Sequence, residues 1–218
     1  TLRFDLDEKV RSACAEAVGS TKNISALTPL IMALKDESGS VRARAAEGLG
    51  RLKDTRAVHS LMNLLKDSNP GVRRITVSSL GTLAAPKSLD SIINCLNDPD
   101  KYVRAAAAGA VGRFNSKKGI GPLKELLKDE SDKIVRSTIE GLARIEYQEA
   151  LDALNEFKDS EKCPSRIEMV LNQSIQRLEK KLFALEMKKT VKDIKESDAG
   201  KAYKNFKDIL KELKDEEI

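Results

Sequence analysis

A single histidine, His59, stands among the 218 residues, and that count limits the chemistry the chain can do. A metal centre built on imidazoles needs several of them, and a nucleophilic Ser or Cys needs a base beside it. No GxSxG turn, Gly-rich phosphate loop or CxxC pair occurs. Glu47 and Glu140 fall at comparable places in two helical segments, but carboxylates alone do not make a multi-histidine site. His59 lies near the start of a helix, in register with Thr28, Asp90 and Gly121, where a solvated side chain is expected. Cys14, Cys95 and Cys163 are odd in number and far apart, which predicts a reducing, cytoplasmic setting rather than disulfides or zinc. Cys14 shares a column with Ala45, Thr76, Ala107 and Thr138 and reads as a small packing residue. The expectation is no catalytic residue, no metal and no cofactor.

The elements that would position any site are repeats. The wording of Glu37–Asp67 recurs along the chain: Val10, Val41, Val72, Val103 and Ile134 are 31 apart, as are Gly19, Gly50, Gly81, Gly112 and Ala143. Asp36, Asp67, Asp98 and Asp129 keep the same period, and Asp159 falls one residue short. Such periods mark stacked repeats that cannot bury their apolar faces singly. Each copy predicts two helices. The first runs from about Val41 to Leu52, with Val41, Ala45, Ala46, Leu49 and Leu52 on one face. The second runs from about Thr55 to Lys66, and Pro29 and Pro122 lie early in its counterparts, where a missing N–H costs little. A glycine at one column in four copies suggests close helix approach or a left-handed terminus, and its replacement by Ala143 favours close approach. Aromatics make up only 4% and Trp is absent, so the core must be built from Ala, Val, Leu and Ile. No apolar run of about 18 residues exists, so no membrane span is expected.

These residues resemble the HEAT repeats, in the short variety named for phycobilisome lyases. The family pattern of Pro, then LLxD, then VRxxAAxxLGxL appears as Pro122 followed by LKELLKD, and as Val41-Arg42 followed by ARAAEGLGRL. The resemblance covers about residues 6–159. It implies an all-α, right-handed α-α superhelix (a HEAT/ARM-like solenoid) with the Pro-bearing helix outside and the Val-Arg helix lining the concave side. It also implies a structural ladder in which a loop Asp pairs with the Arg. Asp36 and Arg42, Asp67 and Arg73, and Asp98 and Arg104 are each six apart. In the fifth copy Val135 takes the ladder column and Arg136 is displaced by one. Deoxyhypusine hydroxylases, relatives with this fold, use paired His-Glu motifs to hold iron, which one histidine cannot reproduce.

On the concave helices three columns should be exposed: Ser12, Ala43, Arg74, Ala105 and Arg136; Glu16, Glu47, Ser78, Gly109 and Glu140; Ser20, Arg51, Thr82, Arg113 and Arg144. They lie four apart and share a face. The charged members, Glu16, Glu47, Arg51, Arg74, Arg113, Arg136, Glu140 and Arg144, form a candidate partner-binding face around a bare centre at Ala105 and Gly109. The net charge of +5 invites a nucleic-acid reading. These helices hold ten arginines (Arg11, Arg42, Arg44, Arg51, Arg73, Arg74, Arg104, Arg113, Arg136, Arg144) against three glutamates. Once the five in or beside the ladder column are set aside, a net of two remains, and the remaining face is expected to carry no aromatic. That is poor material for tracking a phosphate backbone.

After Asp159 the period is lost. Residues 1–159 read as an array of about five units, the first incomplete, and 160–218 as non-repeat helices that cap the array, dock a partner or make a dimer. Ile167, Leu171, Ser174, Leu178, Leu182 and Leu185 follow near-heptad steps from Pro164. After a break at Ser197–Gly200, Tyr203, Phe206, Leu210 and Leu213 mark a last helix, making a C-terminal helical hairpin. The function expected is non-enzymatic binding of a protein or peptide, as a scaffold or adaptor. The alternatives are a nucleic-acid-binding helical repeat and a bilin-lyase-like subunit.

Overall fold

A computed structural model describes residues 7–21, 23–160, 163–197, 200, 201 and 204. Among these residues the chain is all-α, a superhelical stack of paired helices. The first helices of the units are α1 (Glu8–Ser20), α3 (Gly39–Leu52), α5 (Pro70–Leu83), α7 (Lys101–Val111) and α9 (Asp132–Leu142). The second helices are α2 (Leu27–Ala33), α4 (Val58–Asn63), α6 (Leu89–Asn94), α8 (Ile120–Leu126) and α10 (Gln148–Lys158). A long helix, α11 (Ser165–Glu196), follows.

Local chemistry accounts for the boundaries. Asp7, Asn69 and Asp100 cap α1, α5 and α7 by accepting from backbone amides two residues on. The second elements were expected as continuous helices of about twelve residues. In the first four units they are instead short α-helices with a 3₁₀ turn at one or both ends, as in Thr55–Ala57, Val58–Asn63 and Leu64–Lys66, whereas α10 runs unbroken for 11 residues. Pro29 and Pro122 are third in α2 and α8, among the positions whose N–H has no helical acceptor.

The first helices stack directly on one another, while α2, α4 and α6 scarcely touch each other and pack on the first helices of the next unit. The more closely spaced layer must be the inner one of a curved stack, which places the Val-Arg helices on the concave side. The glycine column explains that spacing. A Cβ on Gly50 would lie 2.8 Å from the Cβ of Ser79, one on Gly81 2.6 Å from that of Ala110, and one on Gly112 2.7 Å from the Cα of Gly141. No described glycine has positive φ, so the column serves close approach and not a left-handed terminus. Its receiving partners form a second small column, Gly48, Ser79, Ala110 and Gly141, that the repeat pattern alone did not single out. Ala143 ends the column in the last unit, which has no further inner helix to receive.

The core is one continuous and mainly aliphatic cluster from Ala15 to Leu178, with Phe157 its one buried aromatic among the described residues. Val41, Val72, Val103 and Ile134 are buried, whereas Val10 in the first unit is exposed. The first half of α11 extends the core, burying Ile167, Leu171, Ser174, Ile175 and Leu178 as it packs on α9 and α10. Leu182 is half-buried, and Leu185, expected on the same seam, is exposed. The expected last helix at Tyr203, Phe206, Leu210 and Leu213 lies outside the described residues.

Left-handed residues do occur, but at the non-glycine helix ends Lys53, Ala84 and Asn115. An L-residue there costs about 1 kcal/mol that glycine avoids. Ala84→Gly should therefore raise Tm by about 2 °C. Gly112→Ala drives a methyl into the backbone of α9 and should lower stability by about 2 kcal/mol or more. Thermal melts followed by circular dichroism check both signs.

Candidate functional site

Which charges are available on the inner face depends on which are already committed, and the ladder commits most of them. The six-residue spacing led us to expect Asp36–Arg42, Asp67–Arg73 and Asp98–Arg104 side-chain pairs. The carboxylates are instead met by the arginine of the preceding inner helix. Arg42 grips Asp67 through Nε (2.7 Å) and Nη2 (2.9 Å), and Arg73 grips Asp98 through the same atoms (both 2.8 Å). Arg11 holds Asp36 in the same way, and Arg104 Nε reaches Asp129 at 3.1 Å. The contact across six residues also exists, but to the backbone: Nη1 of Arg42, Arg73 and Arg104 donates to the carbonyls of Asp36, Asp67 and Asp98 at 2.8, 2.8 and 2.9 Å. Each of these three guanidiniums therefore ties two successive loops together. The aspartates complete the geometry by accepting from the amide two residues ahead, as Asp67 does from Asn69. Val135, in the fifth ladder position, is buried, and Arg136 Nη2 donates to the carbonyl of Arg166 at the start of α11.

The hydrogen bond from Arg11 holds the Asp36 carboxyl below its usual range, and that from Arg42 does the same for Asp67. For Asp98 burial is the largest influence and pushes upward. The hydrogen bonds from Arg73 and the Asp100 amide outweigh it, and the net direction is again down.

Beyond the ladder, most inner-face charges also have partners. Glu47 is bridged by Arg44 (3.2 Å) and Arg51 (2.6 Å), and Arg44 reaches Glu16 on α1 at 3.5 Å. Arg144 pairs with Glu140 at 3.6 Å and extends Nη1 towards the carbonyl of Gly109 at 3.5 Å. Arg113 Nη1 reaches back to the Ser78 carbonyl and the Thr82 hydroxyl. Ala105, expected to be exposed, is buried (7% accessible) and forms the floor of a depression walled by Arg74, Tyr102 and Lys133. Gly109 is half-buried beneath Arg144, so the centre is less bare than its small residues imply. A second shallow depression lies between α3 and α5, with Ala43, Arg44, Glu47 and Arg74 on its walls.

Two members of this surface escaped the three columns. Tyr102 and Lys133 belong to a fourth column, Lys9, Ser40, Gly71, Tyr102 and Lys133, at the same 31-residue period. Residues one period apart are neighbours in the stack, and the Lys133 ammonium lies 4.5 Å from the centroid of the Tyr102 ring. Lys101 sits over the same ring at 5.4 Å.

His59 is exposed. Glu47 and Glu140 stand on α3 and α9, with α5 and α7 between them in the stack. Among the described residues no group of three or more His, Cys, Asp or Glu side chains is arranged to hold a metal ion. Cys95 is buried, its thiol donating to the Ser91 carbonyl, and burial pushes it up to about 11, away from thiolate chemistry. Among the described residues no helix is long and apolar enough to cross a membrane.

The sequence pattern of the HEAT repeats family matches residues 27–96 and 89–166. A comparison with curated proteins finds no match. Solved structures share the fold. The complex of CpcE and CpcF of phycocyanin lyase from Nostoc sp. PCC7120 is 22% identical with a TM-score of 0.52, covering 81% of this chain and 79% of that one. A designed armadillo repeat protein in complex with peptide (KR)4 is 18% identical with a TM-score of 0.61, over 83% of this chain and 96% of that one. Armadillo repeat proteins computationally designed for modular peptide recognition reach 15% identity and a TM-score of 0.52, over 78% and 94%. At these identities the likeness is one of fold.

The lowered carboxyls give the ladder a pH signature. A carboxylate whose folded value lies below its unfolded value stabilises the fold at pH above about 4 and loses that contribution as pH falls further. Stability should therefore hold from neutrality to about pH 5 and decline below about pH 4. Asp67→Asn, which keeps the turn acceptor but not the charge, should cost about 2 kcal/mol at pH 7 and flatten the acid limb. Removal of Asp90, whose bridge to Lys118 is exposed on both sides, should cost almost nothing. Chemical denaturation at several pH values separates the two.

Proposed function

This chain belongs to the HEAT repeats family, and we propose that it is a non-enzymatic scaffold or adaptor that binds a protein or peptide along its concave face. The observation that carries the reading is the inner layer itself. Five helices in backbone-distance register present a continuous face of small residues and aligned charges, with shallow depressions open along it. Such a face suits an extended or helical segment laid across the stack, which no isolated pocket of this size would hold. A neighbour of the same fold holds a peptide, which supports the reading without naming a ligand.

On this reading Glu16, Glu47, Arg51, Arg74, Arg113, Arg136, Glu140 and Arg144 set charge complementarity. The array at 1–159 is the binding unit, and 160–218 closes its end. The lyase activity of the phycocyanin lyase neighbour belongs to that protein, and no residue of this chain is assigned to it. The expected setting is the cytoplasm.

The test is affinity capture with the full chain and with a variant carrying Arg51→Glu, Arg113→Glu and Arg144→Glu. These side chains are surface-exposed or half-exposed, so the variant should melt within about 5 °C of the parent. Loss of the captured partner in the variant is the expected result. Equal recovery from both would remove the concave face as the binding surface.

A further inference from the structure

We propose that the depression between Arg74, Tyr102 and Lys133 is an anchoring subsite for an acidic peptide segment of a protein partner, its carboxylates meeting the cations around the Tyr102 ring. This rests on the peptide-binding reading above and adds the chemistry of the ligand.

Charge is the first observation. Arg74 is exposed and makes no hydrogen bond or ion pair among the described residues, unlike the other arginines of the inner face. Arg44, Arg51 and Arg144 are paired with glutamates, and Arg113 and Arg136 donate to backbone carbonyls. Lys101 and Lys133 likewise meet no carboxylate, and their ammonium groups lie over Tyr102. A cation resting on a ring keeps its whole charge and remains available to an anion.

The neighbouring acids cannot serve. Asp98 is held by Arg73, Asp132 by Arg166, and Asp100 caps α7 by accepting from the amides of Tyr102 and Val103. Arg74, Lys101 and Lys133 therefore form a local group of cations that meets no carboxylate among the described residues.

Shape is the second observation. The floor is Ala105, Ala106 and Ser137, so a backbone can come close, and Tyr102 stands 46% exposed at the rim as a flat apolar contact. The walls come from α5, α7 and α9, so a bound segment would span three consecutive inner helices. Two of the cations, Lys101 and Lys133, converge on one aromatic, Arg74 stands across the depression, and the three do not run in a track. That arrangement favours a few adjacent carboxylates over a polyphosphate backbone, which needs a line of cations and successive stacking rings. The peptide (KR)4 seated on the designed armadillo protein is of the opposite sign, so the charge of the patch sets the ligand preference here.

The experiment is fluorescence anisotropy on the full chain with three labelled probes: a short peptide of alternating Asp and Glu, its Lys-Arg counterpart, and an oligouridylate of similar length. The acidic peptide should bind, weakening as ionic strength rises to about 0.5 M, and the basic one should not. Arg74→Ala with Lys133→Ala should weaken the acidic peptide about tenfold or more, and Tyr102→Ala by several-fold. All three side chains lie at the surface, and circular dichroism verifies the fold. No binding of the acidic peptide, equal binding by the double variant, or tighter binding of the oligouridylate would overturn the proposal. The Arg51, Arg113 and Arg144 reversal keeps the two readings apart. Acidic-peptide binding that survives this reversal supports the subsite whether or not partner capture is lost. Capture that needs those arginines while the acidic peptide fails removes the subsite and leaves the scaffold reading standing.

Discussion

The structure depends on one steric constraint: successive inner helices must approach until backbone meets backbone. Gly50 faces Ser79, Gly81 faces Ala110, and Gly112 faces Gly141, with no room for an added methyl at any of the three contacts. The second helices carry no such requirement and pack mainly on the inner helix of the next unit. Unequal spacing of the two layers curves the stack and makes one face concave. A glycine inside a helix costs about 1 kcal/mol against alanine, so its recurrence needs a return, and the return here is contact area between neighbouring helices.

Close approach sets the distance between units but not their rotation about one another. The arginine–aspartate ladder supplies that. Each of Arg42, Arg73 and Arg104 binds a carboxylate in the loop ahead and a carbonyl in the loop behind, so a change in the angle between units would break charge-assisted bonds on both sides. The ladder also consumes charge. A basic chain thereby presents an inner face on which most cations are engaged, and the group around Tyr102 stands out by contrast. At the end of the array the ladder gives way to burial: Val135 packs in the core and α11 covers the last unit.

Much of this was legible in the sequence, because a repeat reports each structural demand several times. The 31-residue period, the two helices per unit and the packing role of the glycine column all follow from columns that any single copy would leave ambiguous. The ladder was legible in composition but not in connectivity. The six-residue separation of Asp36 and Arg42 is real, yet it is satisfied through the Asp36 carbonyl, while the side chain crosses to the next unit. Linear spacing cannot tell these apart, because the two distances become similar only once the units are stacked. Ala105 was misplaced for a related reason. A small residue on an inner face is covered by whatever its neighbours reach across with, here Arg74, Tyr102 and Lys133. Two of them, Arg74 and Lys133, come from adjacent units, so one helix read alone does not contain them.

The central claim is that the inner face, and the cationic group around Tyr102 within it, is the surface that meets a partner. The most direct measurement is backbone-amide NMR of the full chain titrated with the alternating Asp-Glu peptide, with perturbations mapped by residue. The account predicts shifts concentrated in the first two turns of α5, α7 and α9, around Arg74, Tyr102, Ala105, Ala106 and Lys133, and none in α2, α4 or α6. Perturbations centred on the outer helices, or on the exposed second half of α11, would contradict it.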